Sequence, residues 1–185
     1  MSMLKFAAAF AVMASPALAT GIQIEVEGEA NGTITIDLFE DVAPAHVERI
    51  TTLASEGAYD GVVFHRVIDN FMAQTGDVKY GKLEGGNMGQ AGTGNSSYPD
   101  LKQEFSDIKY ERGIVGMARK GYSVDTANAQ FFIMFTQYPS LNGQYTVIGE
   151  VTEGMDVVDA IKRGKGANGA VIGQPDVMKK VTVIE

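Results

Sequence analysis

The 185-residue chain carries 23 acidic and 15 basic residues, a net charge of −8 with histidine neutral, and no cysteine. This balance argues against a groove that neutralises nucleic-acid phosphates, because adjacent basic residues occur only as Arg119-Lys120, Lys162-Arg163 and Lys179-Lys180. Without cysteine there is no disulfide, no thiol nucleophile, no zinc–thiolate site and no lipid-modified cysteine anchor.

Lys5, the apolar stretch from Phe6 to Ala14 and the small residues ending in Ala17-Leu18-Ala19 have the pattern of a secretory leader cut after Ala19. The apolar stretch is far shorter than the about 20 residues needed to cross a bilayer, so no membrane anchor is expected. Removing residues 1–19 from 185 leaves 166 and takes away one charge, Lys5, giving 23 acidic against 14 basic residues and a net −9. Residues 20–185 are the size of one domain.

Residues 22–39 alternate apolar and polar on both sides of Asn31-Gly32, which predicts an opening β-hairpin centred on that dipeptide. Pro44, the apolar face Val47, Ile50, Thr51 and Leu53/Ala54, and the stop at Gly57 predict an amphipathic helix with His46 on its solvated side. Residues 62–77, VVFHRVIDNFMAQTGD, predict two short strands around a turn at Asp69-Asn70. Residues 76–113 are glycine-rich and irregular, and within them GGNMGQAGTGNSSYPD, residues 85–100, is expected to border a site. Strands are predicted at 113–118, 129–136 and 145–151, a second helix over 154–161 ending by Gly164, and a closing strand in VMKKVTVIE. Many short strands with two separated helices point to an antiparallel barrel or sandwich with appended helices.

Three motifs fail on context. Gly164-Lys165-Gly166-Ala167-Asn168-Gly169 matches G-x-G-x-x-G but follows a helix and precedes a strand, the reverse of a dinucleotide site, and reads as a loop. Ser123 lacks the second glycine of a nucleophile elbow, so a serine hydrolase is a poor fit. Two histidines, His46 and His65, give no metal-ligand spacing, and neither metal nor cofactor is expected. Arg66 is different. Strand alternation groups it with Phe64 and Ile68, and a guanidinium in apolar company is costly unless it is paired to an acid of a neighbouring strand or faces a wet groove.

Phe64-His65-Arg66-Val67-Ile68 and Phe71-Met72-Ala73-Gln74-Thr75-Gly76-Asp77 resemble the signature F-H-R-x-I-x-x-F-M-x-Q-x-G-D of the cyclophilin-type peptidyl-prolyl cis-trans isomerases. The resemblance continues in order through Gly92-Thr93-Gly94, Gly116-Met117-Ala118, Gln130-Phe131-Phe132-Ile133, Leu141-Asn142-Gly143, Val147-Ile148-Gly149-Glu150-Val151 and Glu153-Gly154-Met155. It implies a mainly β fold, a closed eight-stranded antiparallel barrel capped by two helices, acting on X-Pro bonds of proline-containing polypeptides. By the same resemblance Arg66 is the catalytic residue, and Phe71, Met72, Phe132 and Leu141 form the proline pocket. Gln74 then positions the substrate carbonyl and supports Arg66, Tyr145 and Ile148 complete the rim, Ala118 and Arg119 pair with the peptide backbone, and Gln130 lines the groove.

Three positions and one loop depart from the pattern. Ser140 stands where many eukaryotic members carry the tryptophan that hydrogen-bonds cyclosporin, so weak cyclosporin binding is expected. Arg119 replaces a common asparagine and Tyr145 a common histidine, and residues 121–128 differ from the usual Gly-Pro-Asn-Thr run. Together these features predict an exported, monomeric isomerase serving unfolded or partly folded chains. A bacterial periplasm is the expected compartment, with secretion as the alternative. A non-catalytic chaperone using the same groove is the rival reading.

Overall fold

The computed structural model describes residues 20–185, and the expected leader at 1–19 lies outside the described residues. The chain opens with β1 (Gly21–Glu27) and β2 (Gly32–Leu38), whose alternate residues Ile22, Ile24, Ile34 and Ile36 are buried. They form the expected antiparallel hairpin, with Ile24 opposite Ile34. Its turn, however, is Gly28–Asn31, tied by the Asn31 amide to Gly28 O at 2.8 Å, so Asn31-Gly32 ends the turn and is not its centre.

Helix α1 (Pro44–Ser55) buries Val47, Ile50, Leu53 and Ala54 and packs on β9 (Val177–Ile184). One expectation fails here, because His46 is fully buried. The α1 N-terminus has no cap of its own, and Glu104, from a loop 58 residues away, accepts the Ala45 and His46 backbone N–H groups. The same carboxylate sits 2.6 Å from His46 Nδ1, so the covering loop that supplies the cap also encloses the imidazole.

Next come β3 (Val62–Val63), β4 (Arg66–Ile68), β5 (Met72–Thr75), β6 (Ile114–Met117), β7 (Phe131–Met134) and β8 (Val147–Glu153), then α2 (Met155–Ala160) ahead of β9. All pairings are antiparallel, in one nine-stranded sheet of order β3-β9-β1-β2-β8-β6-β7-β5-β4. The expected closed eight-stranded barrel is therefore not reproduced in detail. The sheet curls until its two edge strands, β3 and β4, are separated in the chain by Phe64-His65 alone, and there the ladder is broken. Single bonds bridge the gap: Phe64 N–H donates to Asp176 O, and Val171 N–H to His65 O.

Strands β6 and β7, IVGM and FFIM, are buried on both faces. Val115, Met117, Phe131 and Ile133 belong to the main core inside the curl. Ile114, Phe132 and Met134 belong to a second cluster outside it, with Met72, Leu141 and Val147. Because side chains alternate along each strand, the outer face of this half of the sheet is where a site can be built.

Candidate active site

One row of paired residues crosses four strands on that outer face. Arg66 on β4 is opposite Gln74 on β5, Gln74 is opposite Phe132 on β7, and Phe132 is opposite Gly116 on β6. Gly116 leaves the room the row needs, since a Cβ there would lie 2.3 Å from Tyr110 Oη and 2.7 Å from Phe132 Cζ. Tyr110, fully buried, stacks under Phe132 at a ring-centroid distance of 5.7 Å.

Above the row is a cavity of about 150 Å³. Phe71, Met72, Phe132 and Leu141 form its apolar walls, Tyr145 and Ala118 its rim, and Arg66, Gln74 and Arg119 its polar lip. Tyr145 stands edge-on to Phe132, and the Arg119 guanidinium covers the Tyr145 ring 4.5 Å from its centroid. Gln130 lies next door, in a cavity of about 410 Å³ that shares Gln74, Ala118 and Arg119 with the first and is bordered by Gly92, Thr93 and Asn95 of the long loop.

Ile148 stands apart from its expected companions. It is 1 % exposed and packs in the main core, whereas Val147, one residue earlier on β8, joins the outer cluster with Phe132 and Leu141. Strand parity puts neighbouring side chains on opposite faces, so only one of the two can reach the cleft side. Ser123 sits in the 119–126 turn, where its Oγ accepts the Asp125 N–H.

Arg66 is half-buried, and burial pulls its guanidinium below the ordinary arginine range, with the nearby Tyr145 partly offsetting this. Among the described residues no carboxylate is within 4 Å of it. Its partners are uncharged, three amide oxygens and the Met72 sulfur. Nη1 donates to Gln74 Oε1 at 3.0 Å, Nε to the backbone O of Asn168 at 2.9 Å, and Nη2 to Asn168 Oδ1 at 3.2 Å. Gln74 Nε2 in turn donates to Gln130 Oε1 at 3.0 Å, and Gln130 Nε2 donates to Gly94 O at 2.8 Å and Gly92 O at 3.2 Å. The Gly92 and Gly94 amides, finally, donate to the buried Asp77 carboxylate. Asn168 and Asp77 thus belong to the site although the sequence reading gave neither a role. Asp77 could have been found as the last acid of the signature, while Asn168 lies 102 residues from Arg66 in a segment that reads as an ordinary loop.

A family model described as cyclophilin type peptidyl-prolyl cis-trans isomerase/CLD matches residues 22–183. The chain belongs to that family. As a cyclophilin-type peptidyl-prolyl cis-trans isomerase it is 48 % identical over 183 residues to a probable peptidyl-prolyl cis-trans isomerase of Brucella suis, covering 96 % of this chain and 93 % of that one. It is 35 % identical over 156 residues to peptidyl-prolyl cis-trans isomerase B of Bacillus subtilis, covering 84 % and 93 %. A crystal structure of a Cryptosporidium parvum cyclophilin type isomerase superposes with a TM-score of 0.76 at 25 % identity, covering 91 % of this chain and 99 % of that one.

Beside Arg66, His65 turns its ring against Gly92, and both ring nitrogens are buried without a hydrogen-bond partner. Burial holds its pKa down at about 4, against the pull of nearby Asp77. The imidazole of this isomerase is therefore neutral at pH 7. The unfolded chain binds that proton near pH 6.5 and the folded chain only near 4, so stability is fully present above about 6.5 and declines as pH falls through this window. Buried His46, also lowered by burial, adds in the same direction. At about 1.4 kcal/mol per pH unit the His65 contribution is at most about 3.5 kcal/mol. Denaturant midpoints between pH 7.5 and 4 are expected to fall, and His65→Gln to flatten that fall; a parallel decline in the variant would assign the acid sensitivity elsewhere.

Proposed function

We propose that this isomerase turns over X-Pro bonds by stabilising the twisted amide with Arg66, while the proline ring sits among Phe71, Met72, Phe132 and Leu141. The reading is supported by one observation above the rest: the guanidinium at the lip of the apolar cavity is held by amide oxygens and the Met72 sulfur, all uncharged, so its charge is not already neutralised.

Rotation about a peptide bond faces a barrier of about 18–20 kcal/mol because the nitrogen lone pair is delocalised into the carbonyl. When the bond twists, the proline nitrogen becomes pyramidal and regains that lone pair, which a fixed N–H can then meet. No bond is made or broken, and catalysis consists of preferring the twisted state to either planar one. A 10⁵-fold acceleration requires about 7 kcal/mol, of which a charge-assisted hydrogen bond contributes roughly 1.5–3 kcal/mol. The remainder comes from desolvating and orienting the peptide, with Gln74 on the substrate carbonyl, the Ala118–Arg119 backbone pairing with the chain, and Gln130 and Tyr145 bordering its path. NMR exchange spectroscopy on a short X-Pro peptide tests turnover. A groove that only binds shifts resonances without speeding interconversion, which is the outcome that favours the chaperone reading.

We place the working protein outside the cytoplasm, as a monomer in a bacterial periplasm acting on unfolded exported chains. This rests on the leader-like residues 1–19 and the absence of cysteine. Among the described residues no helix is long and apolar enough to cross a membrane. Fractionation of cells making the full chain checks the placement, and retention of an uncleaved form in the cytoplasm would overturn it.

Ser140, in the 3₁₀ turn Pro139–Leu141 beside the cavity, offers no indole N–H to cyclosporin. Binding weaker than micromolar is expected, and Ser140→Trp is expected to tighten it by about tenfold, the worth of one hydrogen bond. Isothermal titration of both proteins reads the difference, and nanomolar binding by the parent would refute the assignment.

A further inference from the structure

Five N–H groups of an arginine radiate in a fixed plane, so aiming a guanidinium means choosing which of them are occupied. In Arg66 three are taken by oxygen, two of them on the Nε–Nη2 side by a single residue, Asn168. A fourth contact, Nη1 to the weakly accepting Met72 sulfur at 3.9 Å, leads to the cavity wall.

Asn168 belongs to the G-x-G-x-x-G run that is not a nucleotide loop. The segment 164–171 lies along the free edge of β4, with Gly164 N–H on Val67 O at 2.8 Å, Val171 N–H on His65 O at 3.0 Å, and a bridge pairing Arg66 with Ala170. Asn168 takes φ 55 and ψ 28, the left-handed region that asparagine tolerates better than most side chains. In that conformation its carbonyl and its side-chain amide oxygen both meet the guanidinium. Gly169 then packs so closely that a Cβ would lie 2.3 Å from Ile68 Cγ1, which pins the loop to the strand carrying Arg66.

We propose that Asn168 is a positioning residue for prolyl isomerisation: its two oxygens form a clamp that fixes the plane of the Arg66 guanidinium and leaves the remaining N–H groups for the substrate. The proposal rests on the reading of Arg66 as the catalytic group and adds the element that aims it. Gln74 alone holds one nitrogen and leaves the plane free to turn about that contact. With Asn168 on the opposite side, the guanidinium is held at both ends before substrate arrives, and less order has to be imposed during the reaction.

The test is Asn168→Gly in the full chain. Glycine keeps the left-handed backbone and the carbonyl contact to Nε but removes Oδ1. Rotation of the Arg66 guanidinium about Cζ–Nε, read from its ¹⁵Nε resonance, is expected to accelerate. In the peptide exchange assay kcat is expected to fall about tenfold with KM little changed, the signature of an interaction felt in the transition state. Asn168→Asp keeps an acceptor at the same place and is expected to hold rotation as slow as in the parent, whereas rotation as fast as in the glycine variant overturns the clamp. Unchanged rotation and rate in Asn168→Gly, or a lower rate with rotation unchanged, also overturns it. Full activity in Arg66→Ala would instead remove the reading of Arg66 itself, while a slow Arg66→Ala beside an unaffected Asn168→Gly removes the clamp alone.

Discussion

Arg66→Ala is expected to lower kcat/KM for X-Pro exchange by two to three orders of magnitude while leaving the fold in place. Removing one preorganised donor from a transition state costs about 10²–10³ in rate in comparable sites. Here the loss also frees Gln74 Oε1 and both Asn168 oxygens, so the lip of the cavity loses its order together with one of its two charges. The side chain is half-buried and has no acidic partner among the described residues, so truncation strands no buried carboxylate. Thermal unfolding should shift by only a few degrees, a change of about 1 kcal/mol or less. Arg66→Lys is the sharper comparison. It keeps a positive charge but cannot be held from both sides in one plane, and it should recover little of the rate. A rate within about threefold of the parent in either variant, beyond what one weak contact explains, would transfer catalysis to the apolar pocket.

Asp77→Ala is expected to have the largest effect on stability, about 3–5 kcal/mol. The carboxylate is fully buried and accepts four backbone N–H groups, from Lys79 at 3.0 Å and Tyr80 at 2.8 Å on Oδ1, and from Gly92 at 2.7 Å and Gly94 at 2.9 Å on Oδ2. Alanine leaves these amides without an acceptor where the long loop folds back on itself. The effect also reaches the site, because Gly92 and Gly94 present the carbonyls that hold Gln130, and Gln130 holds Gln74. The denaturant midpoint should fall with little change of slope, and activity should fall even well below that midpoint. A loss under about 1 kcal/mol would mean that the loop keeps its shape without the carboxylate.

Sequence alone carried the local elements further than it carried their surroundings. Period-two alternation groups Arg66 with Ile68, whereas β7 is apolar throughout, and it is strand pairing that puts Gln74 and Phe132 in line with Arg66. The helix from Pro44 was legible from its apolar spacing, yet that spacing describes only the face turned to the sheet. It carries no information about Glu104, which arrives from a distant loop to bury His46. Ile148 was misplaced because matching runs of residues ignores parity. Val147 and Ile148 are equally apolar, and only the pairing of Val147 with Gly116 tells which one looks outward. The break in the sheet at Phe64-His65 was hidden for a related reason, as the run 62–68 reads as continuous strand while the backbone bonds of these two residues go to partners more than a hundred positions away.

That break ties β4 to residues 168–176, far along the chain. Phe64 and His65 lean on Asp176 and Val171, and Arg66 leans on Asn168. A growing chain that has reached only residue 164 already contains the signature motif and the Gln74 contact, but not the Asn168 oxygens on the other side of Arg66, nor Val171 and Asp176 that seal the seam beside it. The setting of Arg66 is therefore completed only when residues 168–176 dock beside β4.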